Sequence, residues 1–183
     1  DLNTRYSCYR GYAYGNRKLG CHSHASPLDI TGSVQNSCNA WYCHGLVAML
    51  DGRKKYHSTE EAYRDWYRMV TQLGFGKKFD SDLPYELTGF IPTAEYYDKY
   101  YGKGSWKATT IISISIGQGE ICATPMQLAN LVSIIANRGY YYKPHVVKAI
   151  GNKDSLNPRF TNRIESGIDQ KYFAPVILGM QRA

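Results

Sequence analysis

The chain has 183 residues, 43% of them hydrophobic, which suits one ordinary core and is short for two. No apolar run approaches the roughly 18 residues of a membrane span, and the opening Asp1-Leu2-Asn3-Thr4-Arg5 lacks the layout of a secretory signal, so any export signal or anchor is expected outside these residues. Lys and Arg exceed Asp and Glu by 22 − 15 = +7, yet the basic residues are scattered. The densest groups, Arg53-Lys54-Lys55 and Lys77-Lys78, sit beside turn-like glycines and read as solvated surface; charge alone names no partner, and no nucleic acid is expected.

Residues 1–26 hold Gly, Tyr, Cys and His without periodicity and read as an irregular lobe that needs help to order. From Pro27 the pattern turns helical, with Asp29 placed to cap and Leu28, Ile30 and Val34 apolar; Asn36 and Ser37 interrupt it before a second helix over about 39–50. Ser58-Thr59-Glu60-Glu61 is a capping start for a helix whose apolar residues are Ala62, Trp66, Met69, Val70 and Leu73, with Gly74 as the stop.

The stretch 76–92 is rich in turn formers and reads as a surface crossing, after which Thr93 opens a short Tyr-rich helix ended by Gly102. Ile111, Ile112, Ile114 and Ile116 around Ser113 and Ser115 predict a short strand closed by Gly117-Gln118-Gly119. Those glycines lack the rest of a phosphate-cradling motif and are expected to form a tight structural turn. Thr124-Pro125-Met126-Gln127 opens a further helix, with Leu128, Leu131, Ile134 and Ile135 as its expected buried face. Residues 140–150 read as extended, 151–166 as loop or hairpin, and 171–182 as a final helix.

Five cysteines at 8, 21, 38, 43 and 122 are too few and of the wrong parity for a disulfide scaffold. Cys8, Cys21 and Cys38, with His24 three residues after Cys21, make a three-Cys, one-His set suited to a closed tetrahedral zinc site. A disulfide between two of these cysteines, or a packing role for Cys38, are the alternatives, and His22 competes with His24. Cys43 and Cys122 read as helix or core cysteines, and His44, His57 and His145 as surface or packing residues.

Ser37-Cys38-Asn39 says little alone. Its weight comes from the ordered series that follows: Ser113-Ile114-Ser115-Ile116-Gly117-Gln118-Gly119, Ala123-Thr124-Pro125-Met126-Gln127-Leu128-Ala129, Ile135-Ala136-Asn137-Arg138-Gly139 and Lys143-Pro144-His145, with Leu83-Pro84 and Gly89-Phe90-Ile91-Pro92 between. Over about residues 20–150 this series resembles the class B penicillin-binding proteins, and within them the elongation-type members.

The resemblance implies an α/β fold of the β-lactamase/transpeptidase type, of which this chain is expected to supply mostly the helical lobe with a few short strands. It implies a partial transpeptidase domain over 1–183, with 1–38 as a zinc-organised lobe. Such enzymes use Ser-x-x-Lys, Ser-x-Asn and Lys-Ser/Thr-Gly motifs, and only the second occurs in these 183 residues. Ser37 would then serve the proton relay and Asn39 would hold the substrate amide and the nucleophile's lysine. Some family members bind zinc near this motif with a ligand at its middle position, which is Cys38 here.

The implied whole protein is a serine D,D-transpeptidase that crosslinks peptidoglycan stem peptides, is acylated by β-lactams and works with membrane proteins of the elongation machinery. It is expected at the periplasmic face, anchored to the inner membrane outside this chain. Two other classes are open to these residues: a zinc-organised non-catalytic binding module, and a β-lactam sensor or β-lactamase.

Overall fold

A computed structural model describes residues 2–53, 55–151 and 156–183; Lys54 and the 152–155 part of the expected 151–166 loop lie outside the described residues. The chain divides into two compact units, one of residues 1–67, 92–121 and 174–183, the other of residues 68–91 and 122–173. Among the described residues six α-helices stand against four strands of two to four residues, so helix exceeds strand.

In the first unit, strands β1 (Gly11–Tyr14) and β2 (Arg17–Gly20) pair antiparallel in the register Gly11 to Gly20. Gly15, at φ +54°, supplies the left-handed backbone that a two-residue hairpin turn needs. The expected irregular lobe therefore contains a hairpin, which four-residue strands had given too short an alternation to reveal. Tyr12, Tyr14 and Leu19 lean from it onto the helical core.

Helix α1 (Ile30–Gln35) is capped by Asp29, whose Oδ1 accepts from Gly32 N–H at 2.8 Å. Helix α2 (Asn39–Leu50) buries Cys43, Leu46 and Leu50 against Ala62 and Tyr63 of α3 (Thr59–Gln72) and Ala94 and Tyr97 of α4 (Ala94–Tyr101). Tyr63, Tyr97 and Trp106 pack as an aromatic trio with centroids 5.3–5.4 Å apart, and the Tyr63 hydroxyl donates to Pro92 O at 2.7 Å. Asp51, just past α2, accepts from the Thr59 hydroxyl at 2.6 Å and from Ala108 N–H at 3.0 Å, closing the core's lower edge.

The run 111–116 is not a strand: Ile112–Ile116 is a 3₁₀ helix, stopped by Gly117 at φ +68°. It packs on α2, and among the described residues no strand pairs with it; a lone buried strand would leave its N–H and C=O groups unpaired, whereas the 3₁₀ turn satisfies them locally. Gly117-Gln118-Gly119 is the expected structural turn, with Gln118 N–H on Ser113 O at 3.1 Å. Helix α6 (Phe173–Gln181) is shorter at its start than expected because Gln170–Tyr172 is a 3₁₀ turn. Gly179 of α6 lies so near α1 that a Cβ would meet Thr31 O and Val34 at 2.7 Å.

The second unit is built on α5 (Pro125–Ala136), which opens with a complete capping box between Thr124 and Gln127. Its buried face is Gln127, Asn130 and Ile134, whereas Leu128 is half exposed. Gln127 Nε2 donates to Lys77 O at 3.1 Å and Thr88 O at 2.8 Å, and Asn130 Nδ2 donates to Leu73 O at 2.9 Å. The irregular segment before Pro92 presents carbonyls, and the helix meets it with amides in place of the expected leucine. Within the expected extended segment 140–150, β3 (Tyr140–Tyr141) pairs antiparallel with β4 (Ile164–Glu165).

Candidate functional site around the Ser-Cys-Asn tripeptide

Between α1 and α2 the chain reverses within three residues. Asn36, Ser37 and Cys38 donate their N–H groups to Gly32 O, Val34 O and Ser33 O at 3.0, 3.2 and 3.0 Å. Ser37 sits at φ +45°, left-handed and exposed, and Cys38 returns to extended backbone as the N-cap of α2. The Cys38 sulfur accepts from Trp41 N–H at 3.4 Å, so a cysteine takes the place usually held by Ser, Thr, Asp or Asn. Asn39, half-buried at the first turn of α2, donates from Nδ2 to Gly20 O at 2.9 Å and ties the helix to the end of β2.

Cys8, Cys21, His24 and Cys38 converge on the same spot: their ligand atoms all lie within 4.8 Å of one another. Cys21 reaches it because its N–H continues the hairpin ladder to Arg10 O at 3.1 Å, and Cys8 because its N–H is held by the Ser26 hydroxyl at 2.9 Å. Cys21 Sγ and His24 Nε2 are 3.4 Å apart. The other nitrogen of His24, Nδ1, lies 2.7 Å from Ala25 O, a bond that makes Nδ1 the protonated nitrogen and turns the Nε2 lone pair toward the sulfurs. His22 packs edge-on to His24 with centroids 5.2 Å apart and stands outside the four.

Burial pushes the Cys38 thiol up to about 12, so without a cation beside it this sulfur stays protonated. Burial raises the Cys21 thiol too, but its hydrogen bond with His24 and those from the backbone N–H groups of Asn39 and Ala40 outweigh it and bring the thiol below its ordinary value. His24 is raised, first by the Ala25 carbonyl and also by Cys21. These four residues could hold a metal ion. A tetrahedral zinc with three thiolates and one imidazole spaces its ligand atoms about 3.5–3.8 Å apart, which small side-chain rotations reach from the observed spread.

His44 is a packing residue, stacked on Tyr6 at 4.8 Å and edge-on to Tyr12 at 4.7 Å, and burial lowers its basicity. Cys43 is buried, 3.3 Å from the Ser115 hydroxyl. Cys122 departs from the core reading: it is exposed, because its bridge to Phe90 leaves the side chain at the surface. The Gly20 carbonyl that holds Asn39 and the Ala25 carbonyl that orients His24 were not readable from side-chain patterns, since backbone groups carry no residue signature.

Residues 1–173 match the family described as the penicillin-binding protein transpeptidase domain. The chain is 44% identical over 84 residues to the peptidoglycan D,D-transpeptidase MrdA of Acinetobacter baumannii, a match that covers 46% of this chain and 12% of that protein. Against penicillin-binding protein 2A of Bacillus subtilis it is 27% identical, covering all of this chain and 26% of the relative. It also superposes on PBP2 of Helicobacter pylori, solved in complex with MreC, with a TM-score of 0.74 at 21% identity, over 100% of this chain and 30% of that one. The fold is therefore that of transpeptidase domains, and the chain spans between about an eighth and a quarter of the length of these two sequence relatives.

Proposed function

The chain belongs to the penicillin-binding protein transpeptidase domain family, and from that membership we propose that its whole protein is a peptidoglycan D,D-transpeptidase in which residues 1–183 supply the Ser-x-Asn wall of the active site. The reaction would run through a serine acyl-enzyme on stem peptides, with β-lactams acylating the same serine. That serine belongs to a Ser-x-x-Lys motif, which these residues do not contain. The exposed Ser37 hydroxyl would pass a proton between nucleophile and leaving group, and the Asn39 amide would hold the substrate's peptide and the catalytic lysine.

Cys8, Cys21, His24 and Cys38 would hold one zinc ion. When bound, a closed set of four protein ligands leaves no position for an activated water, so the ion would supply structure and no Lewis-acid chemistry at the substrate. Cys38 is at once a member of this set, the cap of α2 and the middle residue of Ser-Cys-Asn. That threefold role is the observation that carries the reading: holding Cys38 fixes the residues on either side of it.

The whole protein would act at the extracytoplasmic face, as cell-wall synthesis requires; no described helix is long and apolar enough to cross a membrane. A partner such as MreC, found in complex with the Helicobacter pylori relative, would fit that placement.

The test uses the complete domain and a fluorescent penicillin. Asn39→Ala should slow acylation on the order of 10²-fold or more, the usual cost of removing one positioned polar group at a reacting centre. Unchanged acylation would reduce Asn39 to its bond with Gly20. The 183-residue chain alone should take no penicillin in an intact-mass experiment.

A further inference from the structure

We infer that Cys8 and Cys21 are a redox-modifiable pair whose disulfide is the alternative state of the candidate metal centre, so that oxidation empties the centre and leaves the Asn39–Gly20 bond to tie the Ser-Cys-Asn tripeptide to residues 1–26. The inference rests on the structural-zinc reading above and adds to it a modification site and a trigger.

Three sulfurs lie within 4.8 Å of one another, close enough that side-chain rotation alone can bring two of them toward bonding distance. Accessibility separates them. Cys38 is fully buried, caps α2 through Trp41 N–H, and cannot swing toward a partner without uncapping the helix. Cys8 and Cys21 are only half-buried, and both stand at the open end of the β1–β2 hairpin, where a soluble oxidant can reach them. Cys8 N–H is held by Ser26 Oγ, and Cys21 N–H, at the end of the hairpin, by Arg10 O.

The chemistry balances with a small disulfide oxidant such as oxidised glutathione. One protein thiolate attacks a sulfur of the oxidant, forms a mixed disulfide and expels one glutathione thiolate. The second protein thiolate then attacks the protein sulfur of that mixed disulfide, forms the Cys8–Cys21 bond and expels the other glutathione thiolate. Two electrons pass from the protein to the oxidant, whose two sulfurs leave as thiols after protonation. What remains for the metal is His24 and Cys38, half of a closed tetrahedral set.

The experiment titrates oxidised glutathione into the 183-residue chain carrying Cys122→Ser, which removes the exposed thiol that would form its own adduct. Zinc is read with a chromogenic indicator, and the bond with a non-reducing digest that cuts after Arg10 and Lys18 and before Asp29, so that Cys8, Cys21 and Cys38 fall in separate peptides. One zinc should be released for each disulfide formed, and the linked peptides should be those of Cys8 and Cys21. Zinc retained beside reduced thiols, a linkage that includes Cys38, or stable glutathione adducts without a protein disulfide would each overturn the inference.

His24→Ala keeps all three sulfurs while removing one ligand. It should arrive with little zinc and still form the Cys8–Cys21 bond, at least as readily as the parent; failure to form it counts against the pair itself. A parent chain that holds no zinc as isolated would sink the structural-zinc reading, and the digest would still decide the disulfide on its own.

Discussion

Gln127 is a polar side chain with no water to face. It is fully buried, its Nε2 spends both hydrogens on Lys77 O and Thr88 O, and its Oε1 accepts from Thr124 N–H at 3.0 Å. Truncation would leave two carbonyls and one N–H without partners, each costing about 1–3 kcal/mol when buried. Gln127→Ala should therefore destabilise the chain by about 3 kcal/mol in urea unfolding, more than a surface amide could.

Ser37 presents the opposite case, a residue whose backbone is tolerated for its position. Ser37→Gly, at φ +45°, should leave stability unchanged or raise it by up to about 1 kcal/mol, whereas Ser37→Val should cost about 1–2 kcal/mol. Equal midpoints for the two variants would remove backbone strain from the description. The tripeptide itself was legible in the sequence, but its left-handed serine was not, because serine gives no sign of φ.

At the scale of elements, capping residues were the most readable feature. Asp29, Thr93 and Thr124 each start the helix they were expected to start, and each accepts the N–H that the cap requires. The failures share one cause. Alternating Ile and Ser implied a strand, and a Leu-Ile stripe implied the inner face of α5, but what these elements met was another chain segment's backbone or none, and composition cannot report that.

The same dependence holds residues 80–82 to residues 143–147. Asp80 pairs with Lys143 at 2.9 Å and faces Arg159, while the Asp82 carboxylate accepts from Val146 and Val147 N–H at 2.8–3.1 Å and faces His145. Lys143 above all holds Asp80 below the usual carboxylate range, and the Val147 N–H does the same for Asp82. A depressed folded-state pKa contributes stability above the unfolded value of about 3.9 and loses it as pH falls through the folded one. Amide protection of Val146 and Val147 should thus hold from pH 7 to about 4 and fall below that, and Asp82→Asn should lower it already at pH 7.

For the molecule as a whole, the two units differ in what stabilises them. One has a helical core of aromatic and aliphatic side chains, to which residues 1–26 add a hairpin and the ligand cluster. Structural zinc contributes about 10–16 kcal/mol of apparent binding energy in small peptides, so losing even a third of that is large for a domain. Chelation should lower the Tm by about 10 °C or more, and elemental analysis should give close to one zinc per chain, falling sharply in Cys21→Ser and Cys38→Ser. An unchanged melting curve after chelation would count against the site. That Cys8, Cys21, His24 and Cys38 would gather in one cluster was legible because Cys and His are rare and chemically marked; the division into two units was not, since the first unit is assembled from three separate stretches of chain.

Cys38 also bears on which sequences this fold can explore. A helix cap alone would accept Ser, Thr, Asn or Asp, and a zinc ligand alone would accept His or Asp. Only aspartate meets both requirements with a side chain short enough for the N-cap. A saturation library at position 38, selected for folded and zinc-loaded protein, should therefore return Cys and Asp and reject Ser and Asn, while a library selected for helix stability in the presence of chelator should admit all four. The tripeptide's middle letter, which the Ser-x-Asn pattern leaves unspecified, would then be the least interchangeable of the three.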